Sequence, residues 1–477
     1  MRIAIVGCGP KGLFALERLL AHTTADPGRA IDIELFEPNP TLGAGPVYEP
    51  DQPDYLLMNF SSRRVDMWWR GDGPVTPGDR PTFAQWRGDP ADDYAPRASV
   101  GRYLADGLRS LVESAPDGVT IGVHDRGVEA VRPAGDRWAL RGDGWTTEDF
   151  DRVLLTTGHE QLRPGSVTTD TSVPAEGTIA IRGFALTFID AALSLTEGRG
   201  GRFAEAENGR LSYIGTGEPI RIVPFSRTGR PMLAKPSHGP GDEALEARGT
   251  ALLNALPAPV TDLSGELLPL LAGLLRPEHR ERGGEWLAHT VVPASGSTAT
   301  DDEVGADLGR VWRAVYPAIV RRLSGNGIAD GEWPAFRRLS AELERLSFGP
   351  PPVNAAKLDA LVAAGIVDLG SLTRVTPDAD VVVDAVMPQP GVPERGLLRD
   401  LVDDGFARVP PGRRGLETSA TCECIGEDGL PSRGLAAYGR PTEDWVIGND
   451  TLSRSLHPQI DAWAEAVLTS DRPAVHA

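Results

Sequence analysis

Three glycines near the start of the chain have the spacing of a phosphate-binding turn. They are Gly7, Gly9 and Gly12, in the pattern G-x-G-x-x-G. Residues 1–6 before them are apolar and strand-forming, and residues 13–20 after them have a helical composition. In this context Gly9 lets a pyrophosphate approach the backbone, and Gly12 lets the helix pack closely against the strand. The free N–H groups at the helix start favour an anion, so the pattern predicts a dinucleotide site.

An acidic residue follows this turn at the distance typical of dinucleotide folds. Residues 31–36 alternate between apolar and polar side chains, and Glu37 comes directly after them. A carboxylate there accepts hydrogen bonds from an adenosine ribose and repels a 2′-phosphate. The first site therefore favours FAD or NAD over NADP. The alternative is an ordinary strand–helix unit with a glycine turn.

A second, degenerate nucleotide-binding unit is predicted farther along the chain. Residues 178–181 form a strand, and Gly183 is the one fingerprint glycine that follows it. The next strand, residues 221–225, ends in Ser226 and Arg227. A guanidinium at this position accommodates a 2′-phosphate, which favours NADPH at the second site. The alternative is a solvated, arginine-rich turn.

The elements around these sites predict an α/β fold with two Rossmann-like dinucleotide-binding domains, for FAD and NADPH, and a helical insertion. A length of 477 residues suits two or three domains. We expect a FAD-binding domain over residues 1–165, with a β-meander over 119–140. An NADP-binding domain over 166–395 includes the helical insertion at about 240–345. Residues 396–477 return to the FAD-binding domain.

Composition limits the partners of the chain. The net charge of −19 argues against nucleic acids and anionic membranes, since both would repel the protein. No apolar run is long enough to cross a bilayer, and the first strand begins at the first residue, so we expect a cytoplasmic protein without a secretory signal. Cys422 and Cys424 lack a second pair for zinc, so no metal site is predicted. Their spacing is also unlike that of a redox dithiol.

Taken together, the motifs resemble FAD/NAD(P)-binding flavoproteins of the two-dinucleotide type, and in particular a bacterial branch related to flavin-dependent N-hydroxylating monooxygenases. The resemblance covers nearly the full length. Besides the first turn, the matching strings are residues 43–48, 56–60, 157–159, 226–229 and 438–442.

The resemblance implies an NADPH- and O2-dependent enzyme that forms a C4a-hydroperoxyflavin and hydroxylates a neutral amine. Its substrate would be a small amine or amino acid, with L-aspartate among those used by relatives. A reductase or dehydrogenase without oxygen insertion is the alternative. A third possibility is a non-catalytic flavin-bound protein, which the degenerate turn at Gly183 would favour. A homo-oligomer is left open.

The resemblance also assigns site residues. Asn59, beside Met58, would pass the flavin ring, and Arg63 or Arg64 could clamp a substrate carboxylate. The alternatives are a turn-capping amide and surface arginines. His159 and His457 lie near flavin motifs and could be structural or transfer protons. The residues expected to bind the cofactors are Gly7, Gly9, Pro10, Lys11, Gly12, Glu37, Met58, Thr157, Gly158, Gly183, Ser226, Arg227, Gly439 and Asn449.

Overall fold

A computed structural model describes residues 1–25, 28, 30–89, 93–158, 176–217, 220–235, 241–291, 302–372 and 375–469. Its strands are β1 (Arg2–Val6), β2 (Ile31–Phe36), β3 (Val119–His124), β4 (Ala130–Ala134), β5 (Arg137–Gly142), β6 (Trp145–Phe150), β7 (Arg152–Leu155), β8 (Gly177–Arg182), β9 (Arg202–Glu205), β10 (Leu211–Ile214), β11 (Ile220–Phe225), β12 (Val381–Asp384), β13 (Glu423–Ile425) and β14 (Pro431–Ala437). Its α-helices are α1 (Pro10–Ala25), α2 (Phe83–Arg87), α3 (Arg97–Glu113), α4 (Leu186–Leu195), α5 (Asp242–Asn254), α6 (Leu268–Leu274), α7 (Arg280–Val291), α8 (Glu303–Leu323), α9 (Trp333–Ser347), α10 (Pro352–Ala363), α11 (Leu397–Asp403) and α12 (Gln459–Thr469).

The first sheet has the strand order β13-β14-β7-β1-β2-β3, with every pair parallel except β13 and β14. Successive side chains of a strand point to opposite faces. Ile3 and Ile5 accordingly join the core shared with α1, α3 and α12. Ala4 and Val6 join the core formed with the meander β4–β6 and with α11. The sheet is therefore covered on both faces, as parallel sheets require.

The second sheet has the order β11-β8-β12, and both of its pairings are parallel. α4 packs on it through Phe188 and Ile189, and α10 contributes Leu361 to the same core. β9 and β10 form a separate antiparallel pair. The two parallel sheets confirm the predicted α/β class with two Rossmann-like units.

Helices α5–α9 follow β11 along the chain and have a core of their own. Trp286, Trp312, Trp333 and Phe336 are buried in it, as expected for aromatic residues at helical spacing. The helical insertion is therefore confirmed. The residue numbers at which the domains were divided, 165 and 395, stay predictions.

One expectation about local structure was wrong. Residues 119–123 were assigned to the meander, but β3 pairs with β2 at the edge of the parallel sheet, and α3 is the crossover between them. In the segment around 40–100, Trp68 and Trp69 are buried, and other residues of that segment reach the cavity described below.

In the part of the chain that is described, none of the helices combines the length and the apolar character needed to cross a membrane.

Candidate active site

A cavity of about 1670 Å³ lies at the carboxyl ends of β1 and β2. Pockets for one small ligand typically measure about 300–1,000 Å³, so this cavity has room for more than one ligand. The parts of the chain that line it include the β1–α1 turn, Glu37, residues 44–48 and 58–61, the start of α4, one face of α8, and residues 448–453.

The β1–α1 turn has the geometry of a phosphate cradle. Gly7 has φ +93°, and a Cβ there would lie 2.8 Å from the Thr156 carbonyl oxygen. A Cβ on Gly12 would lie 2.3 Å from the Gly7 oxygen. A Cβ on Gly9 would meet nothing closer than the Gly45 Cα, at 3.8 Å. Gly7 and Gly12 are thus needed by the fold itself, whereas Gly9 leaves open space on the cavity side for a diphosphate.

Glu37 and Thr157 flank this turn and line the same cavity. Glu37 is buried, and its carboxylate accepts the N–H groups of Cys8 at 2.8 Å and Asn39 at 3.0 Å. The Thr157 hydroxyl oxygen is buried and has no hydrogen-bond partner within the described structure. A ribose and a phosphate would satisfy these groups, so the residues present fit an adenine dinucleotide. Pro10 and Gly158 also line the cavity.

Lys11 connects the first turn to the C-terminal loop. Its ammonium donates to the Thr451 carbonyl at 2.8 Å and lies 5.1 Å from the Tyr438 ring centroid. Burial lowers the pKa of Lys11 to about 7. Gly439, with φ +84°, is needed there because a Cβ would lie 2.8 Å from the Lys11 Cγ. The return of β14 to the first sheet thus brings the two predicted motifs together.

Asn449 is buried in the same loop and lines the cavity. Its amide nitrogen donates to Glu443 at 2.9 Å and to the Val446 carbonyl at 3.2 Å. The Oδ1 atom has no partner among the residues the structure describes, so it can accept from a ligand N–H or hydroxyl group.

Of the predicted catalytic residues, Asn59 and Arg64 line the cavity, as does Met58. Asn59 donates from Nδ2 to the Phe348 carbonyl at 3.3 Å. The main-chain carbonyl of Asn59 accepts a hydrogen bond from the Lys235 ammonium. Arg63 is exposed and lies outside the cavity lining. Arg64 is exposed as well, and both arginines belong to the 3₁₀ turn over Ser62–Arg64. Because Arg64 lines the cavity and Arg63 does not, Arg64 is the candidate arginine for binding a ligand.

The second unit places its predicted residues at one end of its sheet. Gly183 has φ +118°, and a Cβ there would lie 2.9 Å from the Ala385 oxygen. Ser226 accepts the Gly229 N–H at 3.0 Å, and Arg227 is exposed. None of these predicted residues lines the large cavity. The start of α4 does, through Asp190 among others.

Several cavity residues were missed by sequence reasoning. Arg97 on α3 pairs with Asp190 on α4 at 2.7 Å, and burial raises the pKa of Asp190. Glu344 accepts a hydrogen bond from Ser340 at 2.7 Å, and burial raises its pKa to about 7. No local pattern marks such residues, because their partners come from distant parts of the chain.

Three positive side chains, which we call the basic cluster, were also missed as a group. They are Arg64, Lys235 and Arg313, and all three line the cavity. Burial, with the charges of Arg313 and Arg64, lowers the pKa of Lys235 to about 8. The one available signal was the spacing of Arg310 and Arg313, which puts both on one face of a helix.

The remaining candidates have structural roles or lie outside the described residues. His457 is buried, and its Nε2 bonds to the Ile447 carbonyl at 2.9 Å. Burial lowers its pKa to about 3, so it is neutral and unsuited to transferring protons near pH 7. Cys422 and Cys424 are buried free thiols, and burial raises the pKa of both, which disfavours the reactive thiolate. His159 lies outside the described residues.

Two curated proteins are similar to this chain in sequence. A nitrosuccinic acid synthase of Aspergillus oryzae is 33% identical over 284 residues, which are 52% of this chain and 42% of that protein. An L-aspartate N-monooxygenase (nitrosuccinate-forming) of Streptomyces cremeus is 30% identical over 346 residues, 61% of this chain and 49% of that protein. The chain thus spans about half the length of these curated relatives.

A bacillithiol disulfide reductase of Staphylococcus aureus aligns over 99% of both chains, with a TM-score of 0.48 and 11% identity. Residues 4–160 match the protein family described as FAD-NAD(P)-binding. That match includes the end of β1, the glycine turn, Glu37 and Thr157, so this part of the chain is similar to that family.

Proposed function

We propose that this protein is a FAD-dependent, NADPH-consuming monooxygenase that hydroxylates the nitrogen of a small amine or amino acid. The observation that carries the proposal is the identity of 30–33% to enzymes named for nitrosuccinate formation and for L-aspartate N-oxygenation. The overall reaction would convert amine, O2, NADPH and a proton to hydroxylamine, NADP⁺ and water. A cytoplasmic location and a homo-oligomeric state stay predictions.

The residues for the flavin are those of the first turn and its surroundings. Gly9 leaves room for the diphosphate, Glu37 lies where a ribose is expected, and Thr157 and Asn449 offer unpaired buried oxygens. When bound, FAD supplies the redox chemistry, namely hydride acceptance and oxygen activation. The protein supplies orientation, and its apolar walls exclude water from the reacting groups.

The substrate amine must be neutral to act as a nucleophile, and Glu344 is suited to take its proton. A carboxylate with a pKa near 7 accepts and releases protons at the working pH. Glu344 lies on the cavity wall one helical turn before Phe348, whose carbonyl bonds to Asn59. Glu344 and Asn59 line the same cavity, which supports this role for Glu344.

For the nicotinamide cofactor we propose the carboxyl end of the second sheet. Ser226 and Arg227 follow β11 directly, and Gly183 follows the neighbouring β8. Ligands of open parallel sheets bind beyond the carboxyl ends of the strands. An exposed arginine at this end suits a 2′-phosphate, which supports NADPH over NADH.

The proposal is tested with the full chain reconstituted with FAD. NADPH oxidation and O2 uptake are followed while amines and amino acids are screened, starting with L-aspartate, and hydroxylamine products are identified by mass spectrometry. We expect one amine to accelerate NADPH oxidation with matching hydroxylamine formation. Reduction by NADPH under nitrogen without a fast return in air, and without any hydroxylamine, would instead support a reductase.

A further inference from the structure

We propose that Arg313 and Lys235, with Arg64 beside them, form the site that binds a carboxylate of the substrate. The inference rests on the proposed function, since it assigns a place within the same cavity to an amino-acid substrate. The sequence predicted Arg63 or Arg64 as the main contact of the carboxylate. The inference assigns that contact to Arg313 of the helical insertion instead.

The basic cluster is assembled from three separate parts of the chain. Arg64 belongs to a 3₁₀ turn, Lys235 lies ten residues beyond the end of β11, and Arg313 lies in the middle of α8. The charges of Arg313 and Arg64 both act on Lys235. Like charges gathered in a partly buried cavity repel one another, so the arrangement favours a bound anion.

Part of the donor capacity of the cluster is unused. Arg313 Nη1 is buried and has no hydrogen-bond partner within the described structure. Asp242 is the acidic residue whose charge acts on Arg313, but it lies 3.6 Å from Arg310 in an ion pair. The Lys235 ammonium donates to the Asn59 carbonyl, and an ammonium has three donors. A buried donor without an acceptor costs free energy that a ligand oxygen would recover.

A carboxylate is the anion that fits best. Guanidinium groups bind carboxylates with two parallel hydrogen bonds. The diphosphate of FAD has its place beside Gly9, and Arg227, predicted for the 2′-phosphate, lies outside this cavity. Phosphates therefore have sites elsewhere.

The surroundings of the cluster also provide for the other end of an amino acid. The Lys235 ammonium is 5.7 Å from the centroid of the Phe348 ring. Glu344 lies one helical turn before Phe348 and lines the same cavity. A ligand held by its carboxylate at the cluster would have its amine near a group able to accept a proton. The cavity thus has basic and acidic groups arranged for an amino acid.

The test measures the binding of succinate, which is L-aspartate without its amino group, to the FAD-reconstituted chain by calorimetry. Arg313→Gln and Lys235→Gln are each expected to weaken succinate binding at least about tenfold. The matched control is Arg337→Gln, an exposed arginine on α9 outside the cavity. It should bind succinate like the unaltered chain. Arg313→Lys keeps the charge and should bind better than Arg313→Gln. Flavin content and circular dichroism verify that each variant is folded.

Two results would overturn the assignment. One is equal succinate affinity in the unaltered chain and the folded variants, including no binding in any of them. The other is weaker NADPH binding with unchanged succinate affinity, since the cluster would then hold a cofactor phosphate. Succinate binding needs no turnover, so this test is independent of the activity screen. Hydroxylation with an unaltered KM in the variants would reject the carboxylate site and keep the proposed function. Succinate binding without any hydroxylation would keep the carboxylate site and reject the proposed function.

Discussion

Two glycines of one motif have different physical roles. A Cβ on Gly12 would collide with the Gly7 carbonyl at 2.3 Å, whereas a Cβ on Gly9 has ordinary space around it. We predict that Gly12→Ala destabilises the flavin-free chain by about 1–3 kcal/mol, because the close-packed turn must shift. Gly9→Ala should keep the stability of the flavin-free chain. The free energies of unfolding in urea check both.

Equal destabilisation by the two substitutions would contradict this division of roles. It would mean that Gly9 is also required by packing and that no open space is kept beside it.

The buried His457 predicts a pH dependence of stability. Its pKa is lowered to about 3 in the fold, against an ordinary value of 6.5. Below pH 6.5 the unfolded chain therefore takes up a proton that the folded chain does not. This contribution to stability is fully present above pH 6.5 and is lost as the pH falls toward 3, by about 1.4 kcal/mol per pH unit.

The matching variant is His457→Gln, whose amide can still donate to the Ile447 carbonyl. Urea unfolding of both chains between pH 7.5 and 5 should show a shallower loss of stability for the variant. Identical slopes would show that His457 is protonated in the folded protein.

At this scale the sequence predicts residues that act through local geometry. Gly7, Gly9, Gly12 and Glu37 belong to a pattern whose spacing has a physical cause. Arg313 gives no such signal, because its partners lie on other elements of the chain. Only the folded chain brings them to one cavity.

α3 packs on the first sheet and α4 packs on the second. The ion pair of Arg97 and Asp190 joins the two helices. The side chain of Asp190 is 7% exposed, and that of Arg97 is 19% exposed. We predict that Arg97→Gln lowers the free energy of unfolding by about 3 kcal/mol, since it leaves a buried carboxylate unpaired. Adding Asp190→Asn should restore part of that loss.

The double-mutant cycle is measured by urea unfolding. Additive effects of the two substitutions would contradict a direct coupling between the helices.

Helices and strands were predicted well where the sequence pattern is local. They were predicted poorly where the pairing between strands determines the sheet to which a strand belongs. The strands predicted over residues 178–181 and 221–225 are present as β8 and β11. The meander was misjudged at β3, because a short alternating strand has the same pattern at the edge of a parallel sheet as in an antiparallel one. The crossover through α3 decides between the two.

For the whole molecule, the chain is acidic, yet positive side chains are gathered in one cavity, as the proposed anionic ligands would require. The net charge is −19, yet the cavity gathers Lys11, Arg64, Lys235 and Arg313. The overall class, with two parallel units and a helical insertion, follows from the order of strands and helices along the sequence. The joining of these parts around one cavity does not, since it depends on contacts between residues far apart in the chain.

The central claim is that the turn between β1 and α1 holds the diphosphate of FAD. The most direct measurement is a titration of FAD into the purified unaltered chain and into Gly9→Ala, followed by flavin fluorescence and the visible spectrum. We predict one FAD per unaltered chain and at least about tenfold weaker binding to the equally stable Gly9→Ala. An unaltered chain that binds no FAD, or equal binding by both chains, would contradict the account.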